Sequence, residues 1–397
     1  MNTKLITTSF PAAVPVVGEY DVVVVGGGIA GCAAAVAAAR NGASVCLVER
    51  EFMAGGLATL GLVWCYLPIC DGNGHQIAGG IAEEFLKLSV LDGSGSIPAC
   101  WQNQGDPEER KKIRYESEFN PLSFAVQLDR ILEEQHISIR YGSQVCAVIK
   151  NGHKISAVVV AEKQGLGAIC CKTVIDASGD GDVCHLAGEQ MPRRTDNRLA
   201  YWAYSSADGD LQRAEMQSPL YGRLPENERT FSGVSTEDIT AFCVEARKRA
   251  YHRCVEKKNR LPIMMASIPQ FRMTRRLEGQ YVLQTEDEGR WFADAVGMVP
   301  DWRKRKVVFC VPYRMLLPKQ TNNLWIAGRC ASAEAEVGET IRSIPACAVL
   351  GQAAGTAAAL ACKLDCNAAD VPYASLKQTL EANGVILDEA LMQLCKA

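Results

Sequence analysis

Tyr20-Asp-Val-Val-Val-Val25 runs straight into Gly26-Gly27-Gly28-Ile29-Ala30-Gly31, and then into Cys32-Ala-Ala-Ala-Val-Ala-Ala-Ala-Arg40. Four valines with no polar break read as a strand buried on both faces. The alanine-rich run is a strong helix former. Asn41-Gly42 ends it, and Ser44 to Glu49 is a second apolar strand. The order is therefore strand, glycine turn, helix, strand, with an acid 18 positions after the last glycine. A bound dinucleotide needs this arrangement. Gly26 permits the tight turn, Gly28 lets backbone amides approach a pyrophosphate, and Gly31 lets the helix pack on the strand. Glu49 is placed to accept hydrogen bonds from a ribose diol. A GxGxxG alone is a weak signal, but in this setting it predicts dinucleotide binding.

Outward from that stretch, 397 residues suffice for two or three domains' worth of core. A composition of 48% hydrophobic and 22% charged residues is that of an ordinary globular protein. The formal charge of -3 argues against a nucleic-acid-binding surface. No run of 18 apolar residues occurs, so no membrane span is expected. Residues 1–18 read as a leader without the pattern of a signal peptide. The 17 cysteines include no C-x-x-C, and most sit in apolar runs, as at Cys32, Cys46, Cys310, Cys347 and Cys362. They read as free thiols in a reducing cytoplasm, with no metal site expected.

Met53-Ala-Gly-Gly-Leu-Ala-Thr59 is a second glycine-rich loop, directly after the ribose acid. Ile81 to Leu88 and Leu122 to Glu134 carry helical periodicity. A β-meander follows from His136 to Lys172, with Asn151-Gly152 as a hairpin turn and a second turn around Gly165-Leu-Gly167. Thr173-Val-Ile-Asp176 is a short strand feeding Ala177-Ser-Gly-Asp-Gly-Asp182. From about Met191 to Cys310 the chain is more charged and carries a long basic helix, Glu237 to Lys258, whose charges read as a solvated face. Val307 to Val311 and Asn323 to Ala327 return to buried strands. Ser343 then caps a small-residue helix with Pro345 in its first turn, suited to close packing on the first helix.

Taken together these blocks resemble the FAD-dependent oxidoreductase family, flavoproteins of the two-dinucleotide-binding-domain group, with fumarate reductase and thiazole synthase as more distant relatives. The matching segments are Asp21 to Glu49, Gly55 to Thr59, Gly79-Gly80, Val174 to Asp182, Val311 to Pro318, Asn323 to Cys330 and Ile344 to Leu360. The resemblance implies an α/β fold: a Rossmann-like FAD-binding domain with a β-meander, interrupted by an inserted α+β substrate domain. Its expected organisation is a leader at 1–18, FAD-binding parts at 19–190 and 311–365, a substrate domain at 191–310 and a helical tail at 366–397. It also implies non-covalent FAD. Gly26, Gly28, Ile29, Ala30 and Gly31 would hold the pyrophosphate, Glu49 and Arg50 the adenosine ribose, and Val145 the adenine by its backbone. Gly55, Gly56, Leu57, Ala58 and Thr59 would lie by the ribityl chain and ring. Ala177 and Gly179 with Asp180 would close the adenosine side, Gly328 and Arg329 the ribityl side, and the helix opening at Ile344-Pro345 the pyrimidine edge.

One departure from related sequences bears on the chemistry. The stretch Ser332 to Gly338 lacks a histidine that related sequences often have, so Glu334, Glu336 or Glu339 would have to substitute. A single dinucleotide fingerprint leaves no built-in NADPH domain, so electrons come from the substrate, from free NAD(P)H or from an external carrier. For catalysis the candidates are Arg272 and Arg275, beside Arg276, and Arg342 as carboxylate anchors. Internal ion pairing of the Phe271 to Gly279 arginines with Glu278, Asp287 or Glu288 is the competing reading. His75 and Glu336 are the acid/base candidates, with His185 a further histidine beside a glycine turn. The expected function is hydride transfer between flavin N5 and a small organic substrate, in C–H/C–OH oxidation or C=C reduction. The rivals are a monooxygenase or halogenase-like enzyme using NAD(P)H and oxygen, and a non-redox protein with structural FAD. No nucleic-acid or membrane partner is expected, and the oligomeric state is left open.

Overall fold

The computed structural model describes residues 13–103, 105–217, 224–256 and 260–396. Its centre is the predicted unit. Strand β1 (Val16–Val25) leads through the glycine turn into helix α1 (Ile29–Arg40) and strand β2 (Val45–Val48). After α2 (Ile81–Ser89) and α3 (Pro121–Glu134), β3 (Ser138–Arg140) adds to the same sheet. The meander β4 (Gln144–Asn151), β5 (Lys154–Glu162) and β6 (Gly165–Asp176) completes it, in the order β3-β2-β1-β6-β5-β4. β1 pairs with β2 and β6 in parallel, so neither of its edges is free, and Val22 to Val24 are fully buried.

One expectation is corrected here. The predicted turn at Gly165-Leu-Gly167 is instead the opening of β6, which runs unbroken through the strands expected on either side of Lys172, and the reversal falls before Gly165. The reason is packing: a side chain on Gly167 would stand 2.7 Å from Val17. Glycine serves there for contact with β1 rather than for turning. Further on, Leu283 pairs with Ala333 in an isolated bridge.

A second hydrophobic core belongs to the inserted region. Strands β7 (Ala200–Ala207), β8 (Asp210–Gln217) and β9 (Leu261–Met265) form a separate sheet in the order β8-β7-β9, backed by helix α4 (Thr236–Tyr251). Leu199, Tyr201, Phe231, Phe242 and Phe271 fill the space between them, joined by Leu62 from the first part of the chain. The stretch from Leu277 to Cys310, expected in the inserted unit over 191–310, instead contributes to the main core. Strand β10 (Ala295–Pro300) and β11 (Val308–Pro312) form their own antiparallel pair in it, and β12 (Leu324–Ile326) joins the end of β6 in parallel.

After the short helix α5 (Ala335–Ile341) comes α6 (Ile344–Leu364), capped by Ser343 as expected. It is long and apolar enough to cross a membrane, yet it is buried almost throughout, as an all-round apolar helix in a core must be. It lies against α1 through Gly351 and Gly355, where any Cβ would stand 2.2 Å from the Ala30 carbonyl and 2.1 Å from that of Ala34. The tail forms α7 (Tyr373–Ala382) and α8 (Glu389–Lys396). The apolar cysteines behave as hydrophobes: burial pushes the Cys32, Cys46 and Cys310 thiols up to about 12.

Candidate functional site

The carboxyl ends of β1, β2 and β6 open onto one cavity. Its floor is the glycine turn. Gly26, at φ 100°, has its missing side chain 2.4 Å from the Ala177 carbonyl, so the turn is pinned between two strands. Gly28 meets nothing within 4 Å on its Cβ side and leaves the amides of the α1 N-terminus open to the cavity. No acidic side chain lies in the first turn of α1 to compete with an anion there. The second glycine loop folds onto the first, with Gly55 N donating to the Gly27 carbonyl at 2.7 Å.

Glu49 is buried at the wall, and its orientation is set by the backbone. One carboxylate oxygen accepts from Gly27 N and the other from Glu51 N at 2.8 Å. Such a pre-oriented acceptor suits a diol. Across the cavity, Asp176 at the end of β6 accepts from Ser178 N at 3.1 Å and from Cys184 N at 2.8 Å, which shapes the Ser178-Gly179 turn. Burial holds the Asp176 carboxyl above its ordinary range.

Arg329 reaches over Gly179 to Asp180 at 2.7 Å, and a side chain on Gly179 would meet its guanidinium at 2.9 Å. Burial works to raise the Asp180 pKa, but the Arg329 charge and the Thr274 hydroxyl together hold it below its ordinary value. The Nε of Arg329 is buried without a hydrogen-bond partner among the described residues. On the cavity wall, that leaves a donor for an oxygen acceptor. The anion-ready helix end, the oriented acid and this donor fit a dinucleotide.

The far wall comes from three places. Ile268 and Pro269 belong to the segment after β9, Ile344 and Cys347 to the start of α6, and Arg342 to the loop before it. Arg342 donates through Nε (2.9 Å) and Nη2 (2.6 Å) to one oxygen of Glu339. Nη1 of Arg342 has no partner among the described residues. Glu339 is buried and also faces Arg194 at 3.5 Å. Its burial favours the neutral acid, but Arg342, with Arg272 and Arg194, outweighs that and keeps its pKa low.

The cavity gathers Gly26, Gly28, Ile29, Ala30, Glu49, Arg50, Gly55, Gly56, Leu57, Ala58, Ala177, Gly179, Gly328, Arg329, Arg342 and Ile344 from the sequence-derived set. Gly31, Thr59, Val145 and Pro345 are not part of the lining. Gly31 lies against the Gly26 carbonyl, Thr59 bonds the Ala54 carbonyl, Val145 is buried in β4, and Pro345 is in the first turn of α6. Four catalytic candidates lie outside the lining. Arg272 is buried within the field of Glu339, and Arg275 pairs with Asp182 at 2.8 Å. Glu336 is exposed and pairs with Arg303, while His75 pairs with Asp71 at 2.8 Å. Arg276 takes the internal pairing considered above, with Glu278 at 2.7 Å. His185 is exposed on a short helix. Glu51, Ser178, Ile268, Pro269 and Cys347 also line the cavity. Of these, Ser178 stood inside a glycine motif already singled out, whereas Ile268 and Pro269 carry no local pattern at all.

Fold and cavity define an α/β dinucleotide-binding protein. The family described as FAD dependent oxidoreductase matches residues 21–201 and 247–380, and the chain belongs to that family. It is therefore an FAD-dependent enzyme. Among curated proteins, the thioredoxin reductase of Ureaplasma parvum serovar 3 is 42% identical over 71 residues, 18% of this chain and 23% of its own length. The tRNA uridine 5-carboxymethylaminomethyl modification enzyme MnmG of Granulibacter bethesdensis is 32% identical over 160 residues, 39% of this chain and 24% of its own. The matches thus span about a quarter of those relatives. Among solved structures, BexE, from a study of oxidation during BE-7585A biosynthesis, shares the fold. It has a TM-score of 0.50 and 14% identity over 87% of this chain and 63% of that one.

Proposed function

We propose that this enzyme moves a hydride between its flavin and a small organic anion, held at the Arg342 end of the cavity. The supporting observation is the Arg342–Glu339 clamp. A buried carboxylate fixes the guanidinium through Nε and Nη2, which leaves Nη1 uncommitted on the cavity wall. An arginine held in this way is pre-organised for a carboxylate or enolate oxygen. FAD supplies the hydride acceptor or donor. The chain's own residues bind, orient and exclude water. The amides of the glycine turn and the α1 N-terminus take the pyrophosphate, and Glu49 takes the ribose diol. Ile268, Pro269 and Ile344 present apolar surface where the reacting ends meet, and the N-terminus of α6 favours negative charge there. Both C–H/C–OH oxidation and C=C reduction are compatible with this arrangement.

The test is an anaerobic flavin spectrum titrated with NADH, NADPH, small carboxylic acids and neutral polyols. A carboxylate should either bleach the flavin or reoxidise it after reduction. Arg342→Ala should raise the concentration required about 10- to 100-fold, the loss of one charged hydrogen bond, with flavin still bound. A response to neutral compounds alone, or no change in Arg342→Ala, would overturn the proposal.

A further inference from the structure

His75 stands apart from the cavity, and its surroundings carry a different chemistry. The turn Asp71 to His75 packs against α8, the helix at the end of the chain. This brings the Asp71 carboxylate, the His75 ring and the Cys395 thiol together, with one ligand atom from each within 4.8 Å of the others. Nδ1 of His75 lies 2.8 Å from Oδ2 of Asp71, and Sγ of Cys395 lies 3.6 Å from that same oxygen. Oδ1 of Asp71 is already engaged, accepting from Asn73 N at 2.7 Å and His75 N at 3.0 Å. The backbone thus orients the carboxylate so that only Oδ2 faces the other two groups. Asp71 and Cys395 are buried, while His75 is about one-third exposed and leaves a side open to water.

We propose that Asp71, His75 and Cys395 form a binding site for a divalent zinc-like ion that fastens the C-terminal helix to the 71–75 turn. The donor set is one carboxylate oxygen, one imidazole nitrogen and one thiolate, the combination that zinc accepts in a four-coordinate shell with a water in the remaining position. Donors at the ordinary zinc bond lengths of about 2.0 to 2.3 Å stand some 3.2 to 3.8 Å apart, so the observed spacings need side-chain shifts of only about 1 Å. The charges also balance. On binding, the Cys395 thiol releases its proton to solvent, His75 binds as the neutral ring and Asp71 is ionised. Two negative ligands then offset the dication in a buried position. The two backbone amides on Oδ1 act as the outer support that holds a ligating carboxylate in place. Sequence spacing could not reveal this site, because Asp71 and Cys395 lie 324 positions apart.

The full-length holoenzyme, stripped with chelator and dialysed against metal-free buffer, is the material for the test. Zinc should rebind at about one equivalent by elemental analysis. Cobalt should give ligand-field bands to the red of the flavin absorption, together with a thiolate charge-transfer band. Cys395→Ser should abolish the charge-transfer band, and His75→Ala should weaken zinc at least about tenfold, with flavin content and circular dichroism serving as the check on folding. Zinc should also raise the melting temperature of the native chain but not of Cys395→Ser. Failure of the native protein to retain zinc would overturn the proposal, as would retention unaltered in folded Cys395→Ser and His75→Ala.

Discussion

Glu49 and Glu162 show how much at the residue scale depends on neighbours that sequence order does not supply. Glu49 was legible as a cavity residue because the glycine turn and the second strand precede it, so its position at the wall follows from contiguous residues. Glu162, at the end of β5, has no such signature, yet both its oxygens are bound by Arg140 at 2.8 Å and one also accepts from Ser143. The bidentate bond to Arg140 is the main cause that takes its pKa from an ordinary 4.5 down to about 2. A depressed carboxylate contributes stability that is present above the unfolded value and is lost as pH falls through the folded one. Stability should therefore decline between about pH 4.5 and about pH 2 through this pair. Denaturant unfolding of Glu162→Gln across that range should show a shallower decline. An identical slope would mean that the pair contributes nothing. Arg342 is the converse case: the sequence nominated it, but only the structure shows Glu339 holding it.

At the scale of elements, the contact between α1 and α6 joins the two ends of the chain. Both helices are rich in alanine, and glycines one turn apart on α6 let its backbone lie on Ala30 and Ala34. The sequence pointed to this packing, since small residues on a long apolar helix have no other use in a core. Gly355→Val should cost at least about 1 to 3 kcal/mol, the usual penalty of overpacking, because its methyls would fall on the Ala34 carbonyl. Calorimetry should show a melting temperature lower by several degrees. An unchanged melting temperature would mean that α6 slides freely over α1. Elements whose identity rests on long-range pairing were less legible. The first residues of β6, Gly165 to Gly167, read as a turn, because glycines alone cannot distinguish a turn from a close strand contact.

The whole molecule places one cavity where the parallel strands end, closed by a segment of the inserted module. Most of its wall comes from the FAD-binding part, so the cofactor and the native fold should stabilise one another. At free FAD about 100 times its dissociation constant, the native state gains about 2.7 kcal/mol relative to the stripped protein. The melting temperature should rise with added FAD and fall when it is removed, as thermal scans over a range of FAD concentrations would show. Independence from FAD would place the cofactor outside the cooperative core. The inserted module has its own buried cluster around Phe231, Phe242 and Phe271. Its pattern was legible as a change in composition, whereas its limits were not, because charge and aromatic content do not mark where packing changes partner.

By itself the sequence determined the nucleotide-binding unit. A buried strand, a glycine turn, a helix and a second strand are each dictated by residues that adjoin in the chain, so periodicity and turn chemistry suffice to read them. Only the tertiary structure decided which charged residues share a site. Glu339 clamps Arg342, Ile268 and Pro269 wall the cavity, and Asp71 and His75 meet Cys395. These groups lie in loops and helix ends without a repeating period. What brings them together is the burial of apolar faces elsewhere in the chain, which no local pattern records.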